Sequence, residues 1–159
     1  MSNAYDFSFT SIDGEPLPLS NFKGKPVLVV NVASKCGLTP QYEGMEALYR
    51  DYRDKGLVVL GVPSNDFGKQ EPGTHDEIKS FCEIHYGVDF PLTEKVAVTG
   101  PDAHPLFKWI AEKGGWIGRP HWNFYKYLIG PDGSFVDWYS SITAPGSAKF
   151  TKAVEKLMG

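Results

Sequence analysis

The chain reads as an α/β protein: a central mixed sheet flanked by helices, with a β-hairpin at its N terminus, in one domain spanning residues 1–159. Three observations predict this. Residues 26–30 and 57–62 are continuous apolar runs of strand length, as expected of strands covered on both faces. An amphipathic helical pattern lies between them. Residues 126–129 and 135–139 flank Pro131-Asp132-Gly133, a turn suited to joining two antiparallel strands.

Taken in order, Phe7 and Phe9 alternate with polar neighbours before Asp13-Gly14 and Pro16-Leu17-Pro18-Leu19, which predicts the opening hairpin. After the first buried strand, Met45, Leu48, Tyr49 and Tyr52 recur at helical spacing, and Gly56 is the expected stop. The second buried strand runs into residues 63–73, too rich in turn formers for regular structure. Thr74 and Glu77 then form a capping box for a helix that carries Ile78, Phe81, Cys82 and His85 on one face, pointing Cys82 inward. Leu106, Phe107 and Ile110 mark a further helix ended by Gly114-Gly115. Phe150, Val154 and Leu157 mark a last one, with Ser147 as its cap.

A strand–helix–strand unit followed by helices, an antiparallel hairpin and a final helix is the element order of a thioredoxin-like fold with additions. Ligand sites in such sheets lie beyond the carboxyl ends of the parallel strands. Residues 31–39 and the loop 64–73 both fall at that edge. No internal repeat or linker interrupts the chain.

Composition narrows the function. With 159 residues, 42% of them hydrophobic, the chain can bury a core unaided, and no apolar stretch approaches a membrane span. A net charge of −3 without a cluster of lysines and arginines leaves no footprint for nucleic acid or anionic lipid. The first residues lack a charged stretch followed by an apolar one, so a cytoplasmic location is expected. Two cysteines far apart in a reducing compartment are a poor structural framework and lack zinc spacing, which turns attention to redox chemistry. His75, His85, His104 and His121 are scattered and are expected to be structural; no metal or cofactor is expected.

Cys36 stands where the first buried strand hands over to a helix. Unpaired amides and the dipole of a helix start favour a thiolate, the nucleophilic form. The plainer alternative is a small buried hydrophobe. Gln70, Trp122 and Asn123 also have plain roles when taken singly: a helix cap, a core aromatic and a turn former.

Three segments taken together alter this balance: Asn31-Val32-Ala33-Ser34-Lys35-Cys36-Gly37-Leu38-Thr39, Asn65-Asp66-Phe67-Gly68-Lys69-Gln70-Glu71-Pro72-Gly73 and Trp122-Asn123-Phe124. Their order and spacing resemble the glutathione peroxidase family, as do Phe90-Pro91-Leu92 and Asp102-Ala103-His104-Pro105-Leu106. The resemblance implies a peroxidase in which Cys36 attacks a hydroperoxide while Gln70, Trp122 and Asn123 surround it. The chemistry is coherent, since all three are uncharged hydrogen-bond donors able to stabilise developing negative charge.

The resulting sulfenic acid must be condensed with a thiol before further oxidation. In one branch of the family glutathione does this; in another a second cysteine does, and thioredoxin reduces the disulfide. Cys82 matches that resolving cysteine, although its inward spacing equally suits a core thiol. Reaching Cys36 would then require the helix to unwind. A peroxide sensor that passes oxidation to a partner protein is the rival from another class.

Ser64 stands where many family members have cysteine, leaving Cys82 as the one intramolecular resolving candidate. Asp66 replaces the usual glutamine and is expected to face its own loop backbone. Lys35, Lys69 and Arg119 are candidate sources of positive charge near Cys36. The short connection between Ile110 and Trp122 resembles that of monomeric members whose open site admits lipid hydroperoxides.

Overall fold

The computed structural model describes residues 3–35 and 37–158. Strands β1 (Ser8–Thr10) and β2 (Pro16–Pro18) pair antiparallel with Phe9 opposite Leu17. Gly14, at φ 89°, makes the return that Asp13-Gly14 predicts. The main sheet has the order β4-β3-β5-β6, formed by β3 (Val27–Val32), β4 (Val58–Pro63), β5 (Lys126–Ile129) and β6 (Phe135–Tyr139). β3 runs parallel to β4 and antiparallel to β5, so the sheet is mixed.

Every residue of β3 and β4 is buried, the outcome expected of continuous apolar runs. Their side chains alternate between two cores. Leu28, Val30 and Val32 pack with Tyr42, Met45, Ile78, Cys82, Phe150 and Val154, which come from α1 (Gln41–Tyr52), α2 (His75–Tyr86) and α4 (Ala148–Met158). Val27 and Val29 pack on the opposite face with Leu106, Phe107 and Ile110 of α3 (Pro105–Gly118). Each such side chain withdrawn from water contributes about 1.5–3 kcal/mol.

The helix signals behave largely as read. α1 ends at Tyr52, and a 3-10 turn, Arg53–Lys55, carries the chain to Gly56 at φ 104°. The capping box of α2 is formed in both directions: Thr74 Oγ1 accepts from Glu77 N at 3.2 Å, and Glu77 Oε1 accepts from Thr74 N at 3.1 Å. Ser147 Oγ accepts from Phe150 N at the start of α4. α3 departs from the expectation that Gly114-Gly115 ends it. Gly115 breaks the helical path at φ 71°, yet the chain winds on to Gly118. A Cβ at Gly118 would lie 2.9 Å from Trp138 Cδ1, so that last turn sits directly against β6.

This topology sets the site. β3 and β4 are parallel, so the segments that follow them leave the sheet at one edge; β5 is antiparallel, so the segment that precedes it arrives at that same edge.

Candidate active site

Asn31, near the end of β3, organises the edge. Its buried side chain donates to Trp122 O at 2.8 Å and accepts from Tyr125 N at 3.1 Å, while its carbonyl accepts from Phe124 N at 2.6 Å. Phe124 takes a left-handed backbone, φ 65°, which a non-glycine residue holds only when its surroundings demand it. Ser141 Oγ donates to Asn123 O at 2.6 Å and completes the clamp.

Gln70 meets the adjacent Trp122 and Asn123 here, across a wide separation in sequence. Asn123 Nδ2 donates to Gln70 Oε1 at 3.0 Å, leaving the Gln70 amide hydrogens uncommitted among the described residues. Trp122 is 37% exposed and leans on Phe67, with ring centroids 6.0 Å apart. Gly68, at φ 64°, lies beneath the indole, where an added Cβ would come within 3.2 Å of Trp122 Cη2. Lys35 N donates to Gln70 O at 2.9 Å and so fastens the β3–α1 segment to the 64–73 loop. Cys36 lies outside the described residues. The turn after it covers residues 37–40, and α1 begins at Gln41.

Asp66 corrects an expectation. Instead of facing its own loop, its Oδ2 accepts from Val98 N at 2.7 Å and Thr99 N at 3.1 Å, tethering the site loop to the segment before α3. Arg119 lies over the Trp116 ring, and Lys35 lines a cleft of about 310 Å³ together with Ser34, Glu71 and Phe81. Three of the four histidines hold backbone groups. His104 caps α3 through Nδ1, His75 Nε2 accepts from Lys95 N, and His121 Nε2 meets Trp116 O.

Cys82 does not join this group. It is fully buried in α2 against the core, where burial pushes its thiol up to about 11; a Tyr42 contact opposes the rise, and the Glu71 and Glu83 charges add to it. At neutral pH it is a protonated, poorly nucleophilic thiol.

Of the buried ionisable residues that escaped the sequence reading, Glu71 and Lys126 adjoin the site segments. Glu71 is 1% exposed, and burial raises its carboxyl to about 7 against the pull of Ser34, Lys95 and Lys35. Lys126 Nζ, wholly buried, donates at 2.7 Å to both Gln41 Oε1 and Phe124 O, tying the start of α1 to the Asn123 segment; burial lowers it to about 7. A lysine opening a strand in a sheet predicted to be covered on both faces was the available signal. For Glu71, inside a turn-rich loop, periodicity offers none. Among the described residues no cluster of His, Cys, Asp or Glu could hold a metal ion, and no helix is long and apolar enough to cross a membrane.

Known proteins resemble this chain over most of its length. Residues 4–111 match the family model described as glutathione peroxidase. The hydroperoxy fatty acid reductase gpx1 of Synechocystis is 48% identical, with 97% of this chain and 95% of the relative aligned. The glutathione peroxidase-like peroxiredoxin gpx1 of Schizosaccharomyces pombe is 48% identical over 91% of this chain and 93% of its own. The crystal structure of Trgpx in its apo form superposes with a TM-score of 0.80 at 37% identity, covering 99% of this chain and 95% of that one. A Chlorobium tepidum thiol:disulfide interchange protein, 19% identical, has a TM-score of 0.72 over 99% of this chain and 97% of that one, which places the architecture among thioredoxin-like folds. With the family match spanning most of the chain and relatives nearly half identical along almost all of it, this protein belongs to the glutathione peroxidase family and is a peroxidase.

Proposed function

We propose that the protein is a thiol peroxidase acting on hydrogen peroxide and organic hydroperoxides, fatty acid hydroperoxides included, with Cys36 as nucleophile, Cys82 as resolving thiol and thioredoxin as electron donor. The Cys36 thiolate attacks one peroxide oxygen and the O–O bond breaks. The departing hydroxide or alkoxide takes a proton and leaves as water or an alcohol, and Cys36 becomes a sulfenic acid. Gln70, Trp122 and Asn123 donate hydrogen bonds to the developing oxyanion. Cys82 then displaces the hydroxyl as water, and a dithiol reduces the disulfide.

The observation that carries this reading is the Gln70–Asn123 hydrogen bond beside Trp122, at the sheet edge where the β3 segment leads into residue 36. It leaves the Gln70 amide hydrogens, the second Asn123 amide hydrogen and the neighbouring Trp122 N–H to meet a substrate oxygen. The relative named a hydroperoxy fatty acid reductase supports lipid-like substrates, and the one named a peroxiredoxin supports recycling through thiols. The reading includes a monomer, a single domain over residues 1–159 and a reducing, cytoplasmic setting in which thioredoxin is available. Cys82 must leave α2 to react, since a disulfide needs its Cα atoms within about 7 Å and regular helix buries this thiol completely.

The test is NADPH consumption coupled to thioredoxin and its reductase, run beside the glutathione system, against hydrogen peroxide and cumene hydroperoxide. Turnover with thioredoxin is expected, and Cys82→Ser should abolish it. Glutathione-linked activity that persists in Cys82→Ser and exceeds the thioredoxin rate would assign glutathione as the reductant. Stoichiometric oxidation without turnover in either system would identify a sensor.

A further inference from the structure

We propose that Lys126 is a positioning residue of the peroxidase site: its buried ammonium grips the Phe124 carbonyl and so fixes the backbone turn that aims the Asn123 amide at Gln70. This rests on the reading of Asn123 as a donor to the peroxide oxygen.

Lys126 opens β5 on the face it shares with Leu128, beneath α1, α2 and α4, and its side chain is wholly buried. Lysines are almost never fully buried unless paired, and no carboxylate pairs with this one among the described residues. Its partners are neutral oxygens: Gln41 Oε1 and Phe124 O, both at 2.7 Å, and Ser141 O at 3.4 Å. Three acceptors match the three protons of an ammonium, which has no lone pair to offer. The Gln41 amide is oriented for this, since its Nε2 donates to Ser141 O at 2.7 Å and leaves Oε1 to face the lysine. A methionine would fill the same space with no charge to take out of water, so packing alone does not account for a lysine here.

The backbone that the ammonium holds is a strained one. Phe124, at φ 65°, stays left-handed only because its surroundings over-determine it. Its N–H donates to Asn31 O at 2.6 Å, its ring stands edge-on to Tyr42 with centroids 5.4 Å apart, and its carbonyl accepts from Lys126. The lysine bond is the one that fixes the direction of that carbonyl. Asn123 comes immediately before, with its own carbonyl held by Ser141 Oγ at 2.6 Å and its Nδ2 reaching Gln70 Oε1 at 3.0 Å. Releasing the Phe124 carbonyl lets the turn relax toward right-handed backbone and swings the Asn123 amide off Gln70. Lys126 makes no hydrogen bond to Gln70, Trp122 or the Asn123 side chain among the described residues, so its effect on peroxide runs through this turn.

The experiment is a double-mutant cycle on the full-length protein. Each variant is reduced beforehand and mixed with hydrogen peroxide, and the peroxide remaining gives the second-order rate constant of the first oxidation, whichever thiol later recycles it. Asn123→Ala should lower that constant by about tenfold to a hundredfold, and Lys126→Met by about tenfold. The double variant should fall no more than about threefold below Asn123→Ala, because a residue that acts through Asn123 then has nothing left to aim. Independent damage to the fold multiplies instead, giving the product of the two losses. Lys126→Gln keeps an amide proton for the Phe124 carbonyl and should fall between wild type and Lys126→Met; it completes the same cycle if Lys126→Met does not fold. A Lys126→Met constant equal to wild type overturns the proposal, and so does a double variant whose losses multiply. If Asn123→Ala is oxidised at the wild-type rate, the donor reading of Asn123 fails first and takes this proposal with it.

Discussion

Burial moves Glu71 and Lys126 in opposite directions, and the stability of the protein should record both. The carboxyl of Glu71 rises from 4.5 to about 7, so its protonated form is the one the fold prefers. Its contribution is fully present below the unfolded value and is lost as pH climbs to about 7, a change on the order of 3 kcal/mol. Glu71→Gln should remove that decline. Lys126 falls from 10.5 to about 7, so the unfolded chain binds the extra proton, and stability should rise from about pH 7 toward 10.5. Lys126→Met should flatten that limb while losing the hydrogen bonds to Gln41 and Phe124. Urea unfolding of each variant across pH measures both. At the site itself, Gln70→Ala strands the Asn123 amide and removes a donor; kcat/KM for hydroperoxide should fall by about tenfold to a hundredfold, with the melting temperature changing little.

At the scale of elements, the proposed resolving role of Cys82 asks α2 to be stable enough to hide the thiol and loose enough to release it. Its start depends on the reciprocal Thr74–Glu77 box and its end on left-handed Gly87, whose N–H returns to Glu83 O at 3.1 Å. Thr74→Ala should cost about 1 kcal/mol and raise the population of opened helix about fivefold. Alkylation of Cys82 in the reduced protein should accelerate by the same factor; an unchanged rate would mean that the thiol escapes by another route. The sheet has its own tight contact. A Cβ at Gly61 would stand 2.7 Å from Leu92 Cδ2 and 3.0 Å from Phe90 Cε1, so Gly61→Ala should destabilise by about 1–3 kcal/mol in chemical denaturation.

For the whole molecule, the sheet edges bear on association. The β4 edge is covered by the 90–93 segment, where Gly61 N donates to Pro91 O and Thr93 N to Gly61 O, both at 3.0 Å. The open β6 edge carries Asp137, a charge that discourages strand pairing. The exposed large apolar residues are scattered: Ile84 lies in α2, Trp116 and Ile117 at the end of α3, Trp122 at the site, Val136 in β6 and Ile142 in the turn after it. Sedimentation equilibrium should therefore find a monomer, and a dimer that weakens on Val136→Lys would locate its interface at β6.

How much of this was written in the chain depends on the range of the forces involved. The apolar runs at 26–30 and 57–62, the Thr74–Glu77 box and the Asp13-Gly14 turn are local, and each formed as its residues dictate. The cluster of Gln70, Trp122 and Asn123 could be suspected from motif order, but their meeting depends on β5 running antiparallel to β3, which no local pattern specifies. Asp66 was misread because its partners, Val98 and Thr99, are distant in sequence. Glu71 and Lys126 were missed for the same reason, since burial of a polar side chain is decided by what packs over it and not by its neighbours in the chain. The sequence by itself determined the elements, the fold class and the candidate residues. Only the tertiary structure decided which of those residues touch and which ionisable groups lose their water, because both depend on surfaces that come together after the elements have formed.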